Sequence, residues 1–329
     1  MSKTAISAII GFTVGAVLIV IWSRFVDFSE ITSQFSSVNW LPIVFSGAFY
    51  ILAYFIRSVR WNMLLGLHQK VLIRKTYAYS LAGNLINYLI PIRAGELAKP
   101  LFLKRSDNIP ITQSLPTVII DKFFDTIGIF VVLLLIPFLH IELSKTLVIM
   151  LIVLIALFVI GFLMLILLSL FPKLMTKLLR RLMFLFPARF KDRVISNLEG
   201  FINGMIILKE NKVTIIPLTL LTILGVVLDA LYFFFIFLAF KVNINFFIVL
   251  FGYTLINLSY ALPQTPAQIG TNEWMMSIVF SAGFGYDLNI AAAIMAFAHL
   301  FTAVILIVTG SVAFSYTGFK LFDIFKRGA

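Results

Sequence analysis

Apolar positions dominate long stretches of the chain, most plainly residues 147–170 and 215–240. At a rise of 1.5 Å per residue, about 20 apolar residues cross the hydrocarbon core of a bilayer. Both stretches meet that length with room for tilt. The same pattern predicts full spans at 4–23, 41–57, 112–139, 146–171, 213–240 and 288–315. Two further apolar segments, 76–103 and 244–283, are interrupted near their middles. The first reads Leu89-Ile90-Pro91-Ile92-Arg93-Ala94-Gly95-Glu96, and the second contains Leu262-Pro263-Gln264-Thr265-Pro266-Ala267-Gln268-Ile269-Gly270. Proline removes a helical hydrogen bond and glycine relaxes the backbone, so each centre predicts a turn between two half-helices.

The polar positions fall in blocks that set a topology. Arg57, Arg60, Lys70, Arg74 and Lys75 lie at and after the end of the second span with no acid among them, and Lys99, Lys104 and Arg105 lie at and after the end of the first interrupted segment. Residues 172–212 carry nine basic residues against three acids, and Lys320, Lys326 and Arg327 lie near the end of the sequence. The remaining loops are almost neutral. The positive-inside rule therefore predicts cytoplasmic basic blocks and cytoplasmic termini in a multi-pass protein of the cell membrane. Segment 76–103 then has both ends on the cytoplasmic side, and 244–283 has both ends outside. Each is expected to be a re-entrant helical hairpin, which survives at membrane depth only when buried in protein or lining a wet cavity. The expected fold is an all-α polytopic membrane protein with six full spans and two re-entrant hairpins. Residues 41–139 and 213–315 read as inverted repeats within a single domain, 1–329. The 173–183 run is basic on one face and apolar on the other, as an interfacial helix on anionic lipid would be. Residues 4–22 read as a retained first span rather than a signal peptide, because Ser23-Arg24-Phe25 is no small-residue cleavage site.

Composition narrows the function classes. The chain is 61% hydrophobic and 12% charged, with mean hydropathy +1.06. A water-facing domain carries roughly twice that share of charge. The formal net charge of +12 fits basic loops against anionic lipid rather than nucleic acid. There is no cysteine, which removes disulfides and thiolate chemistry. His68, His140 and His299 show no ligand spacing, so neither a metal nor another cofactor is expected. No phosphate-loop signature and no nucleophile–histidine–acid arrangement is visible, so no catalytic residue is proposed.

Ionisable residues within the apolar segments need a reason, since each costs about 2.5–3.5 kcal/mol at the bilayer centre. These are Arg93, Glu96, Asp121, Lys122, Asp125, Asp229 and Glu273. Asp121 and Asp125 share a helical face, and Lys122 is placed to pair with Asp125. A set of ion pairs locking the broken helices is one reading; a solvated cavity is favoured for the cluster as a whole. Arg93, Lys99, Lys104 and Arg105, with Arg60 behind them, would draw a phosphate from the cytoplasmic leaflet. Glu96 and Glu273 suit either acid–base chemistry or proton carriage. Trp61, the phenylalanines and the methionines read as lipid-facing packing, Asp229 as a bond to a neighbouring helix, and His299 as a lone packing residue.

The residues Asn84-Leu-Ile-Asn87-Tyr-Leu-Ile-Pro91-Ile-Arg93-Ala-Gly95-Glu96-Leu-Ala-Lys99 resemble a motif of the lysylphosphatidylglycerol synthase transmembrane-region family. So do Asp121-Lys122-Phe-Phe-Asp125 and Leu262-Pro263…Pro266…Gly270…Glu273, and Arg57-Ser-Val-Arg60-Trp61 fits its basic-plus-tryptophan segment. This family is also known as the flippase-like domain family and includes the membrane part of the multiple peptide resistance factor. The chain departs from the pattern in three places. Asp121-Lys122 stands where Glu-Arg is expected, Ala267-Gln268 where Gly-Gly is expected, and His299 where an arginine is usual. The resemblance implies movement of an anionic phospholipid or polyprenyl-phosphate-linked lipid between leaflets, with no appended aminoacyl- or glycosyltransferase domain. A membrane-embedded transferase acting on a lipid carrier is the alternative. The expected substrate-binding or transport residues are Asn84, Asn87, Arg93, Glu96, Lys99, Asp121, Lys122, Asp125, Asn257 and Glu273. Pro91, Gly95, Pro263, Pro266 and Gly270 are the expected hinges. Membrane lipids are the expected partners, nucleic acid is not, and a homo-oligomer is left open.

Overall fold

A computed structural model describes residues 3–90, 94–134, 214–259 and 265–319, with isolated positions between 144 and 163. The fourth expected span, the 172–212 loop, residues 91–93 with Pro91 and Arg93, Pro263, and Lys320 onwards therefore lie outside the described residues, apart from those isolated positions. Described elements are all helical. They are α1 (Lys3–Trp22), α2 (Phe28–Ser36), α3 (Trp40–Gly66), α4 (Ile73–Leu89), α5 (Ala94–Asp107) and α6 (Ile111–Leu134). After the undescribed stretch come α7 (Ile215–Ala239), α8 (Phe246–Ser259), a 3-10 turn (Pro266–Gln268), α9 (Thr271–Met276) leading into a π-helical turn (Ser277–Gly283), and α10 (Leu288–Ser315). α2 is an addition to the sequence reading. Asp27 caps it by accepting from the amides of Ser29 and Glu30, which ties down an otherwise ordinary loop.

Both interrupted segments fold back on themselves. In the first, Lys75 pairs with Asp107 at 2.5 Å, the rings of Tyr79 and Phe102 lie 5.8 Å apart, and Asn87 accepts from the Gly95 amide at 2.8 Å. Partners thus run in opposite directions along α4 and α5. Gly95 makes this closeness feasible: a Cβ there would sit 1.8 Å from the Gly83 carbonyl oxygen. In the second segment, Phe251 meets Phe284 and Gly252 lies against the Phe280 ring, so the π-helical turn returns alongside α8. α1 covers its elbow, with Trp274 Nε1 donating to the Leu18 carbonyl and Trp22 Nε1 to Ser277 Oγ.

The bundle has two distinct ends. At one, Asn289 bonds Asp27 and Glu30, and the Asn39 amide donates to the Ala239 carbonyl. At the other, Ser106 donates to the Thr317 carbonyl and Arg105 lies 4.5 Å over the Phe319 ring. The first hairpin starts and finishes at the Arg105 end. The second starts after α7 and finishes before α10, at the opposite end. Its elbow reaches α4, where Tyr88 meets His299 on α10 edge-on.

α3, α7 and α10 are long and apolar enough to cross a membrane. Their outward chains are bare: Val44 is 68% exposed, Ile216 68% and Leu300 64%. Such a belt would be an unusually large apolar patch in water and is expected against lipid. The interior is aromatic, and Phe233, Phe237, Phe251 and Phe280 are fully buried. One boundary is corrected. The span expected to stop at residue 57 runs to Gly66, which carries Arg57, Arg60 and Trp61 into the bundle instead of a loop. The helix continues because acids from α6 and α7 neutralise both arginines inside the protein. Trp61 is likewise interior rather than lipid-facing: it is 1% exposed and its Nε1 donates to Thr117 Oγ1 at 3.1 Å.

Candidate functional site

A cavity of about 540 Å³ lies among α3, α4, α5, α6, α7, α8, the 265–272 elbow and α10. Its wall combines charged and amide side chains with aromatic ones, Tyr50, Tyr54, Tyr88, Tyr232 and Tyr253 among them.

The charges form one connected chain. Lys99 pairs with Glu96 at 2.8 Å, Glu96 with Lys122 at 3.1 Å, and Lys122 with Asp125 at 3.0 Å. Asp125 then meets Arg60 at 2.5 Å and Arg57 at 3.7 Å. Arg60 also donates to Asp121 at 2.8 Å, to the Asp121 carbonyl at 3.0 Å and to Thr222 Oγ1 at 2.9 Å. Arg57 grips both carboxylate oxygens of Asp229. Glu96, Asp121, Asp125 and Asp229 thus balance Arg57, Arg60, Lys99 and Lys122. The charges sit where helical spacing permits: Arg57 and Arg60 are three apart on α3, and Asp121 and Asp125 four apart on α6.

Exposure grades this network. The Arg60 and Asp121 side chains are 1% and 5% exposed, whereas Lys122 is 39% and Asp125 27%. The first pair is a sealed floor, and the second faces the open space. Arg60 and Lys99 are therefore not free cations waiting for a phosphate, contrary to expectation. Lys99 is spanned by Glu96 and lies 5.4 Å over the Trp61 ring. Both residues are buried because the acids sit within reach.

Of the expected transport residues, Asn84, Asn87, Glu96, Lys99, Asp121, Lys122, Asp125 and Asn257 all line the cavity. Arg93 is outside the described residues. Glu273 lies behind the wall and binds His299, which does line it. Glu96 and Glu273 belong to separate networks and do not form a carboxylate couple. His299 is not a lone packing residue. Its Nδ1 lies 2.7 Å from Glu273 and its Nε2 lies 2.6 Å from the Ala267 carbonyl. Asp229 does bond a neighbouring helix, and it also reaches the cavity. Among the expected hinges, Gly95 marks the close helix approach and Gly270 has φ +83° where α1 presses on it. Pro266 opens the 3-10 turn.

Sequence reading missed the tyrosine wall, Thr222, Gln268 and Asn272. The Arg57–Asp229 pair had one usable signal: a basic residue and an acid, each isolated on an apolar helix. Two buried side-chain atoms lack a hydrogen-bond partner among the described residues, Asn84 Nδ2 and Asn272 Oδ1. Both residues line this cavity. A buried donor and a buried acceptor without partners are costly unless something polar occupies the space between the walls.

Apolar outer helices around a charged, balanced interior define a helical integral membrane protein with a polar internal site. The sequence profile described as the lysylphosphatidylglycerol synthase TM region matches residues 8–310. The chain belongs to that family, which ties it to membrane lipid. No curated protein and no solved structure matches it.

Proposed function

We propose that the protein is a lipid translocase that passes an anionic headgroup through this cavity while the acyl or prenyl chains remain in the bilayer. The observation that carries the reading is the enclosure of a charged, partly unsatisfied cavity by helices whose outer faces are bare hydrocarbon. A headgroup crossing the hydrocarbon core unaided would lose its hydration; a polar interior path replaces that water. The substrate class is a phospholipid or a polyprenyl-phosphate-linked lipid.

Lys122 is the contact point in this scheme. It is the most exposed of the four bases in the network, and it is shared by Glu96 from α5 and Asp125 from its own helix. An entering phosphate takes Lys122 from those carboxylates and loosens the hold of the first hairpin on α6. Arg93 lies three residues before cavity-lining Glu96 and adds a planar fork suited to bidentate phosphate binding. Asn84 and Asn272 supply the donor and acceptor for headgroup hydroxyls. We read the two hairpins as re-entrant, one within each half of an inverted repeat, 41–139 and 213–315; their opening toward opposite ends supports this. We place the protein in the cell membrane with its Arg105 end cytoplasmic.

Proteoliposomes holding fluorescent phospholipids or polyprenyl-phosphate lipids test the reading. Wild-type protein should accelerate transbilayer movement, and Lys122→Gln should lose most of it while still folding, with a smaller drop in melting temperature than loss of the sealed Arg60–Asp121 pair would give. Movement no faster than in empty liposomes across the panel sinks the proposal. A covalently altered lipid formed with candidate donors would select the transferase instead.

A further inference from the structure

One ionisable pair stands apart from the charge chain. Both ring nitrogens of His299 face acceptors, Glu273 Oε1 at 2.7 Å and the Ala267 carbonyl oxygen at 2.6 Å. Glu273 Oε2 is occupied by the Gly270 amide at 2.7 Å. A neutral imidazole carries one N–H and satisfies only one of its two contacts. Two proton placements close the geometry: an imidazolium beside a carboxylate, or a neutral ring donating to Ala267 and accepting from a Glu273 carboxylic acid. Either way the pair holds one proton more than a carboxylate beside a neutral ring.

We propose that Glu273 and His299 form a proton-binding site that couples lipid movement to a proton gradient. The coupling rests on the translocase reading, whereas the proton site itself stands on the hydrogen-bond geometry. When the proton leaves, a ring lone pair faces either the carboxylate or the carbonyl oxygen at contact distance. The repulsion parts α10 from the elbow. That elbow is poised: Ala267 and Gln268 both hold left-handed backbone, φ 51° and 60°, which costs a non-glycine residue energy. Thr265, Gln268 and Asn272 on the elbow line the cavity, so its shift moves the wall.

Other ionisable groups near the pair are accounted for. On α4 the Tyr88 ring lies edge-on to His299 at 6.4 Å. Tyr50, Tyr54 and Arg57 on α3, Glu96 and Lys99 on α5, Asp121, Lys122 and Asp125 on α6, Asp229 and Tyr232 on α7, and Tyr253 on α8 share the cavity. The charged members of that group are paired with one another, Asp121 through Arg60. Asp27 and Glu30 at α2 meet α10 at Asn289, ten residues before His299. The described side chains of α1 include no ionisable group.

The test uses the full chain, wild type against His299→Arg and Glu273→Gln. Arginine offers donors to both acceptors with a permanent charge, and glutamine donates to the ring nitrogen while the ring keeps Ala267. Both variants retain the contacts and remove the titrating proton. In proteoliposomes with fluorescent phosphatidylglycerol, wild-type movement should change with pH as a one-proton titration, approaching about tenfold per pH unit on one flank of the transition. It should respond to an imposed gradient, and both variants should lose that response. In detergent, the wild-type melting temperature should fall as pH rises from 6 to 9 relative to both variants. The sign follows from a folded state that binds more protons than the unfolded one, so stability declines with pH. Parallel melting profiles for all three proteins overturn the proton site whatever the lipids do. Gradient-independent movement with a wild-type-specific melting slope overturns the coupling alone. If no lipid moves, the translocase reading and the coupling fall together, and the melting profiles still decide the proton site.

Discussion

Replacing Arg60 with methionine probes the sealed end of the charge network. Methionine keeps much of the length and apolar stem but withdraws four hydrogen bonds, two to carboxylates, one to the Asp121 carbonyl and one to Thr222. Asp125 retains Lys122 and Arg57 and is partly open, so its loss is modest. Asp121 has no such relief: its side chain is 5% exposed and Arg60 is the charge that holds it. Breaking a buried pair from one side typically costs about 3–5 kcal/mol, most of it the stranded charge. At roughly 2–4 °C per kcal/mol for chains of 150–250 residues, the melting temperature in detergent should fall on the order of 10 °C. Adding Asp121→Leu to Arg60→Met removes the stranded carboxylate and should recover more than half of that loss. A thermal-shift series on wild type, the two single variants and the double variant reads the coupling directly. An Arg60→Met variant melting within about 1 °C of wild type, near the few tenths of a kcal/mol typical of surface changes, would refute the sealed-floor argument.

Gly95→Ala should separate α4 from α5, because the new methyl would lie 1.8 Å from the Gly83 carbonyl oxygen. We expect a loss of about 2 kcal/mol or more in thermal unfolding, in the range for overpacked sites. Ala267→Gly should raise stability by up to about 1 kcal/mol, since φ 51° suits glycine better than alanine; a lower melting temperature would count against strain at the elbow. Trp22→Phe should lose about 1 kcal/mol by giving up the 3.0 Å bond to Ser277 Oγ, and a Ser277→Ala background should make that change nearly neutral. Arg93→Lys should lose most lipid movement yet leave melting unchanged, because lysine cannot reproduce the planar fork; full movement would remove the headgroup role.

The features legible in the sequence were those written locally. Pro91 with Gly95, and Pro263 with Pro266 and Gly270, marked where the helices break, and the described residues do turn back at both places. The three-residue spacing of Lys122 and Asp125 announced a pair, and they meet at 3.0 Å. What stayed hidden was written across the chain. Counting basic residues placed Arg57 and Arg60 in a loop, because their counter-charges sit 65 residues away at Asp125 and 172 away at Asp229. Without those acids in view, ending the span at residue 57 is the sound inference from transfer cost. With them, the arginines become interior bonds and the helix has no reason to stop. His299 shows the same logic from the other side. Its meaning depends on Glu273 and on a carbonyl that faces it only because Ala267 and Gln268 adopt left-handed backbone. No helical periodicity announces that turn of the chain. An arginine at 299 would keep a fixed charge against Glu273, whereas a histidine can release its proton and break the contact. A histidine here thus makes a releasable contact at the point where the second hairpin meets the cavity wall.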